Sequence, residues 1–389
     1  MPAPCPASEA AEMPAVGRLR AVPRVLVNLL QSTGSKGGIE IYARELYRSI
    51  GELVDRRDFD FVGFASTELM ARDHSWFPGE VVNSGISGEN RLSWAYGELI
   101  AVARAAKAQS ADLIHGPAML GPLFPSVPVV VSMHDLLYFS HPELMQTKLF
   151  TEPVKWMEKR AAAKASRLIT ISETSAAAIR TYLRFPDDRI DLIPLAGRKQ
   201  AAAADSPLVR RSDLFLAVGQ RSPYKNFETV VRAWGAMAPE SRPQLVITGS
   251  VGDDPLIPLV SELHLSEWVH LKSWVSDDEL HTLLATATAL IDPTLAGGSS
   301  LPTLEAMQIG LPVVLADTPV LLEVGGDAAD YYRAGDPADL ARAVLSLGAN
   351  PRRQAELTRR GHARVDSYTW NVVARATLES FASALSDPR

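Results

Sequence analysis

The stretch Asp292-Pro-Thr-Leu-Ala-Gly-Gly-Ser-Ser-Leu-Pro-Thr-Leu-Glu-Ala-Met-Gln-Ile-Gly-Leu-Pro312 runs from a strand end through a small-residue loop into a helix. Just before it, Ala289-Leu290-Ile291 is the kind of continuous apolar run that a strand buried on both faces requires. Gly297, Gly298, Ser299 and Ser300 carry little bulk, so their backbone N–H groups and that of Leu301 can approach an anionic ligand closely. Pro302 suits the first position of a helix. Glu305 then falls one turn in, too far along to cap the helix and placed to accept hydrogen bonds from a diol beside a bound diphosphate. The same Gly/Ser loop would also serve as a plain turn, and the residues alone leave both readings open.

On either side of this stretch, short β-branched runs alternate with helical patterns, which indicates βαβ units, parallel sheets and an α/β fold. Strands are expected near Val25–Leu30, Phe59–Phe64, Asp112–Ile114, Val129–Met133, Leu168–Ile171 and Ile190–Ile193 in the first half. The second half restarts with Leu214–Val218, Gln244–Thr248, Val269–Leu271, Ala289–Ile291 and Val313–Leu315. Between the halves, residues 199–212 are low in complexity and lack periodicity, as a linker would. The chain therefore divides into a proline-rich disordered tail (1–22), a first domain (23–198), the linker (199–212), a second domain (213–369) and a terminal helix (370–389).

With 389 residues, 47% of them hydrophobic, the chain can build two domains of ordinary size, each with its own core. A net charge of −6 argues against broad nucleic-acid binding, which needs a basic surface. The single cysteine, Cys5, permits no internal disulfide, which fits a reducing cytoplasm. Neither a signal-peptide pattern nor a stretch of transmembrane length is present. One segment, 148–167, sets Lys148, Lys155, Lys159, Arg160, Lys164 and Arg167 beside Leu149, Phe150, Val154, Trp156 and Met157. It reads as a solvated helix face or as a peripheral contact with the inner face of a membrane.

Three further segments carry chemistry. Leu214-Phe-Leu-Ala-Val-Gly-Gln-Arg-Ser-Pro-Tyr-Lys-Asn226 is a strand, a glycine turn at Gly219 and a basic pair, Arg221 and Lys225, ahead of a helix. Gly34-Ser-Lys-Gly-Gly-Ile-Glu40 places Gly37 and Gly38 where a helix opens. His134-Asp135 ends the strand Val129–Met133, either as a site pair or as a structural hydrogen-bonded one. Asp253-Asp254 and Asp277-Asp278 read as loop and cap acids and not as metal ligands, so no metal is expected and charge on a leaving phosphate must be met by side chains. The Gly-x-Gly-x-x-Gly fingerprint is missing and no acid ends the second strand, which argues against a nicotinamide cofactor.

Together these motifs resemble the retaining glycosyltransferases of the GT-B fold, in the family 4 type that includes bacterial mannosyl- and rhamnosyltransferases. The resemblance spans roughly Val25 to Leu385. It implies two Rossmann-like, doubly wound domains facing across a cleft, with the final helix crossing back to the first. It also implies a nucleotide sugar as co-substrate, GDP-sugar favoured, with no other cofactor. By the same resemblance Lys225 and, less directly, Arg221 meet the diphosphate and Glu305 holds the ribose. Gly37, Gly38 and Gly219 line the phosphate region, and His134 contacts the sugar. Ser172 reads as a helix cap, and as a cleft residue only by resemblance. The implied reaction is metal-independent transfer of a hexose or deoxyhexose, with retention, to a glycan or lipid-linked glycan acceptor. The family carries a glutamate eight positions before Glu305, and here that position is Gly297. A non-catalytic partner subunit, or an epimerase or hydrolase of nucleotide sugars on the same fold, therefore stands as the alternative.

Overall fold

Apolar runs without polar alternation are buried on both faces when they enter parallel sheets covered by helices, and the chain forms two such sheets. The computed structural model describes residues 22–34, 37–53, 58–145, 148–198 and 210–387. The expected tail up to residue 21, Ser35, Lys36 and positions 199–209 of the expected linker lie outside the described residues.

The first sheet contains β1 (Arg24–Leu29), β2 (Asp60–Ala65), β3 (Glu80–Asn83), β4 (Leu113–Gly116), β5 (Val129–Ser132), β6 (Arg167–Thr170) and β7 (Ile190–Leu192), in the order β3-β2-β1-β4-β5-β6-β7. The second contains β8 (Leu214–Val218), β9 (Gln244–Ser250), β10 (Val269–Ser273), β11 (Ala289–Asp292), β12 (Val313–Ala316) and β13 (Asp330–Tyr332), in the order β10-β9-β8-β11-β12-β13. Every pairing is parallel. Each sheet reverses its winding once, between β1 and β4 and between β8 and β11, which is the doubly wound arrangement. Ligands bind such sheets in the crevice beyond the strand ends at that reversal. Both domains are therefore Rossmann-like, and the fold is GT-B.

Two strands escaped the sequence reading, β3 and β13, and both are outermost in their sheets. Glu80-Val-Val-Asn83 and Asp330-Tyr-Tyr332 have only two apolar residues each, because an edge strand needs less burial than a central one. The middles of the central strands are fully buried: Val25, Leu26, Val27, Leu216 and Ala217 have no exposed surface.

The last helix, Trp370–Ser386, is capped by Thr369 and packs against the first domain. Ser49 Oγ donates to Asn371 Oδ1 at 2.7 Å, Ser380 Oγ donates to Asp191 at 2.7 Å, and the Phe381 ring stands 5.0 Å from His115. Trp370 Nε1 donates to the carbonyl of Gly197 at 2.8 Å, tying the start of this helix to the segment where the chain leaves the first domain.

No helix among the described residues is long and apolar enough to cross a membrane. In the basic helix Lys148–Lys164, Met157 and Glu158 face the interior while Trp156 is half-exposed under Arg160. Lys155 and Lys159 lie over the Phe139 ring.

Candidate active site

A cavity of about 350 Å³ opens where the strand ends of the two sheets meet. From the second domain it is lined by the loops after β8 and β11, including Gly219, Lys225, Gly297, Gly298, Ser299, Leu301 and Glu305. From the first domain come Gly37, Gly38, His134 and Asp135. Lys225 and Glu305, far apart in sequence, thus face one space.

The loop after β11 owes its shape to Asp292. This buried carboxylate accepts from Thr294 N at 3.1 Å, from the Thr294 hydroxyl, from Ser300 Oγ at 2.5 Å and from Thr303 Oγ1 at 3.2 Å. Ser300 also caps the helix Leu301–Gln308, accepting from Thr303 N at 3.3 Å, and this puts Pro302 at the second helical position. Ser300 is 1% exposed and does not line the cavity. Its side chain is a cap with both hydroxyl functions already used, so the donor contact expected of Ser300 is one of its backbone N–H alone. Ser172 is likewise a cap, accepting from Ser175 N at 3.1 Å.

Lys225 closes a short 3-10 turn, Pro223–Lys225, and Asn226 follows in the left-handed region at φ 51° before the helix Phe227–Ala236 begins. Its Nζ donates to Thr294 Oγ1 at 3.2 Å, so the ammonium stands on the loop that Asp292 organises. Leu295 N also donates to Tyr224 O at 2.8 Å, joining the two loops directly.

Arg221 does not join Lys225. Its side chain is 6% exposed, forks onto Asp254 at 2.9 Å, and donates to the carbonyls of Gly219, Thr248 and Ile247 at 2.8 to 3.1 Å. A guanidinium with all its N–H groups engaged below the turn has none left for a phosphate. The expected diphosphate role is therefore corrected to a structural one: Arg221 and Asp254 staple the end of β8 to β9.

On the opposite wall, His134 Nε2 donates to the carbonyl of Pro117 at 3.0 Å and the Tyr42 ring meets the imidazole edge-on at 4.5 Å. Burial pushes the His134 pKa down to about 4, so the ring is neutral at pH 7 and its Nδ1 is an acceptor. Beside it, burial raises the Asp135 carboxyl, opposed by the amide of Leu137 and the charge of Lys225. Gly37 takes φ 63°, and a Cβ on Gly38 would touch Leu301 at 3.7 Å, so both glycines sit on the seam between the domains.

Residues 36–196 match the family described as Glycosyltransferase Family 4, and residues 199–364 match that described as Glycosyl transferases group 1. The chain belongs to the family 4 type glycosyltransferases. Among curated relatives, an MMP alpha-(1->4)-mannosyltransferase from Mycolicibacterium hassiacum is 30% identical over 235 residues, which is 59% of this chain and 57% of that protein. An O-antigen chain mannosyltransferase B from Escherichia coli is 28% identical over 268 residues, 65% of this chain and 69% of the relative. The match thus spans little more than half the length of the first. In fold, a sucrose-phosphate synthase from Thermosynechococcus elongatus superposes with a TM-score of 0.75 at 18% identity, covering 94% of this chain and 99% of that one.

Four residues of this family 4 glycosyltransferase's cavity region were missed by the sequence reading or read only as local structure. Asp292 stood in the quoted stretch, and a carboxylate at a strand end ahead of Thr and Ser was the available signal. Gln220 lines the cavity opposite Gly37. Asp277, read as a first-turn acid, does open the helix Asp277–Thr286, and it also faces the cavity. Arg198 had no local signal at all. It reaches the site from the end of the first domain, and its Nε and Nη2 donate to Glu305 at 2.5 and 3.1 Å while Nη1 donates to Asp277 at 2.6 Å.

Proposed function

We propose that this chain is a glycosyltransferase that moves a hexose or deoxyhexose from a nucleoside diphosphate sugar to a glycan or lipid-linked glycan acceptor, with retention and without a metal ion. GDP-sugar is the favoured donor, in line with the mannosyltransferase names of its relatives. One observation carries the reading: Lys225 and Glu305 converge with His134 on a single cavity at the winding reversal of two parallel sheets.

In this reading the diphosphate rests on Lys225 and on the N–H groups of Gly298 to Leu301, and Glu305 accepts from the ribose hydroxyls. His134 faces the transferred sugar as a neutral acceptor. The bond from the anomeric carbon to the phosphate oxygen breaks, and a bond from that carbon to the acceptor oxygen forms on the same face. The acceptor proton passes to the departing phosphate, so no separate base is required. Closure of the cleft excludes water that would otherwise hydrolyse the donor. The protein would work in the cytoplasm, with the helix Lys148–Lys164 and its half-exposed Trp156 as the peripheral contact to the inner membrane face.

A panel of nucleoside diphosphates read by thermal shift tests the donor site, since a specific ligand raises the melting temperature by mass action. Stabilisation by none of them would sink the proposal. The second reading, a non-catalytic partner subunit, is favoured by one feature, the absence of a carboxylate at Gly297. It predicts nucleotide binding with turnover only when a second polypeptide is added.

A further inference from the structure

Taking Arg221 out of the site leaves a deficit of positive charge. Among the described residues, the charged side chains lining the cavity are Lys225 and Arg198 against Asp135, Asp277 and Glu305, with His134 neutral. A nucleoside diphosphate would bring at least two more negative charges into this space, and a single ammonium among three carboxylates is a poor match for it. Arg198 is the other cation available. Its side chain is 14% exposed, and three of its five N–H groups are used on Glu305 and Asp277. The remaining two have no partner among the described residues.

Its backbone is held where the two domains join. The preceding carbonyl, that of Gly197, accepts from Trp370 Nε1 at 2.8 Å, and a Cβ on Gly197 would collide with the Gln308 side chain. From this fixed origin the guanidinium lies directly on Glu305, the carboxylate that the donor-site reading gives to the ribose. A carboxylate has about four acceptor positions, and the fork of Arg198 takes two of them, so ribose hydroxyls and Arg198 can share Glu305 or exchange on it.

We propose that Arg198 is the second phosphate-binding cation of the donor seat, held on Glu305 and Asp277 until a donor binds and turned onto its diphosphate when the ribose occupies Glu305. This rests on the donor-site reading above and adds to it a residue from outside the nucleotide-binding domain. Donor affinity then depends on the segment joining the domains as well as on the loops of the second sheet.

The test compares GDP with guanosine, and UDP with uridine, on the full chain carrying Arg198→Gln. Calorimetry reads the diphosphates, and ligand-observed NMR reads the millimolar nucleosides. If Arg198 serves the phosphates, the diphosphate weakens 10- to 100-fold while the matching nucleoside changes less than threefold. Equal weakening of both would mean that Arg198 only orients Glu305, and no change in either would mean that it is a bystander; both results overturn the proposal. Arg198→Lys keeps the charge and guards against loss of the fold, and its diphosphate affinity is expected within tenfold of wild type. An affinity as low as that of the Gln variant counts against the proposal. If the wild-type protein binds neither diphosphate more tightly than its nucleoside, the donor-site reading fails, and the role of Arg198 fails with it.

Discussion

The carbonyl oxygen of His134 lies 1.9 Å from the point where a Cβ on Gly298 would stand. His134 follows β5 in the first domain and Gly298 belongs to the loop after β11 in the second, so the domains meet backbone to backbone beside the proposed sugar site. Gly298→Ala should force them apart. A misplacement of about 1 Å can cost about 100-fold in rate, so transfer should fall by at least that much, and by a larger factor than nucleoside diphosphate affinity, which draws on the Gly298 N–H but not on the reacting geometry. Steady-state kinetics alongside calorimetry would read this, and an active alanine variant would rule out close approach at this point as a requirement.

Gly297 differs from its neighbour. A Cβ there meets nothing nearer than Thr294 Cγ2 at 3.9 Å. Gly297→Glu should therefore fold with a melting temperature within about 2 °C of wild type, as substitutions away from the core do. Its carboxylate would enter the cavity, so the ratio of kcat/KM between two sugar donors on the same nucleotide should change by about tenfold or more. A variant that melts much earlier would show that the loop needs glycine for its backbone.

Lys225 and Arg221 look like a matched pair in the sequence and should behave in opposite ways. Lys225→Ala removes a charge-assisted contact worth about 1.5 to 3 kcal/mol, so nucleoside diphosphate affinity should drop about 10- to 100-fold with little change in stability. Arg221→Ala leaves Asp254 buried without its partner and should cost about 3 to 5 kcal/mol of folding free energy. Urea denaturation and calorimetry on both variants separate the two effects. Loss of stability in the lysine variant and loss of affinity alone in the arginine variant would reverse these assignments.

Glu98 is buried in the first domain, where Asn28 Nδ2 donates to it at 2.6 Å and Trp94 Nε1 at 3.0 Å. Burial pushes its pKa up from 4.5 to about 7, against these hydrogen bonds. Between those values the folded protein keeps a proton that the unfolded chain has released, so stability should fall as pH rises from about 4.5 through about 7. Glu98→Gln should flatten that decline by on the order of 1 to 3 kcal/mol. Melts of both proteins from pH 5 to 8 would show it, and parallel curves would assign the proton elsewhere.

Much of this was legible in local pattern. Central strands such as Leu214–Val218 are continuous apolar runs because both their faces are covered, and Gly219 and Gly298 stand where backbone must come close to something. Two of the four edge strands, β3 and β13, were not legible, since they need little burial and carry only two apolar residues each. Nor could the residues alone tell Lys225 from Arg221: both follow the same strand, and only the position of Asp254, in the loop after β9, decides which cation is drawn below the turn.

The sequence by itself determined the two α/β halves, the glycine turns and the carboxylate at Glu305, because each depends on periodicity, bulk or spacing within a short stretch of chain. Only the tertiary structure decided which charges share the cavity. It took Arg221 away to Asp254 and brought in Arg198 from the end of the first domain, since an ion pair forms between groups that folding makes neighbours, whatever their separation along the chain.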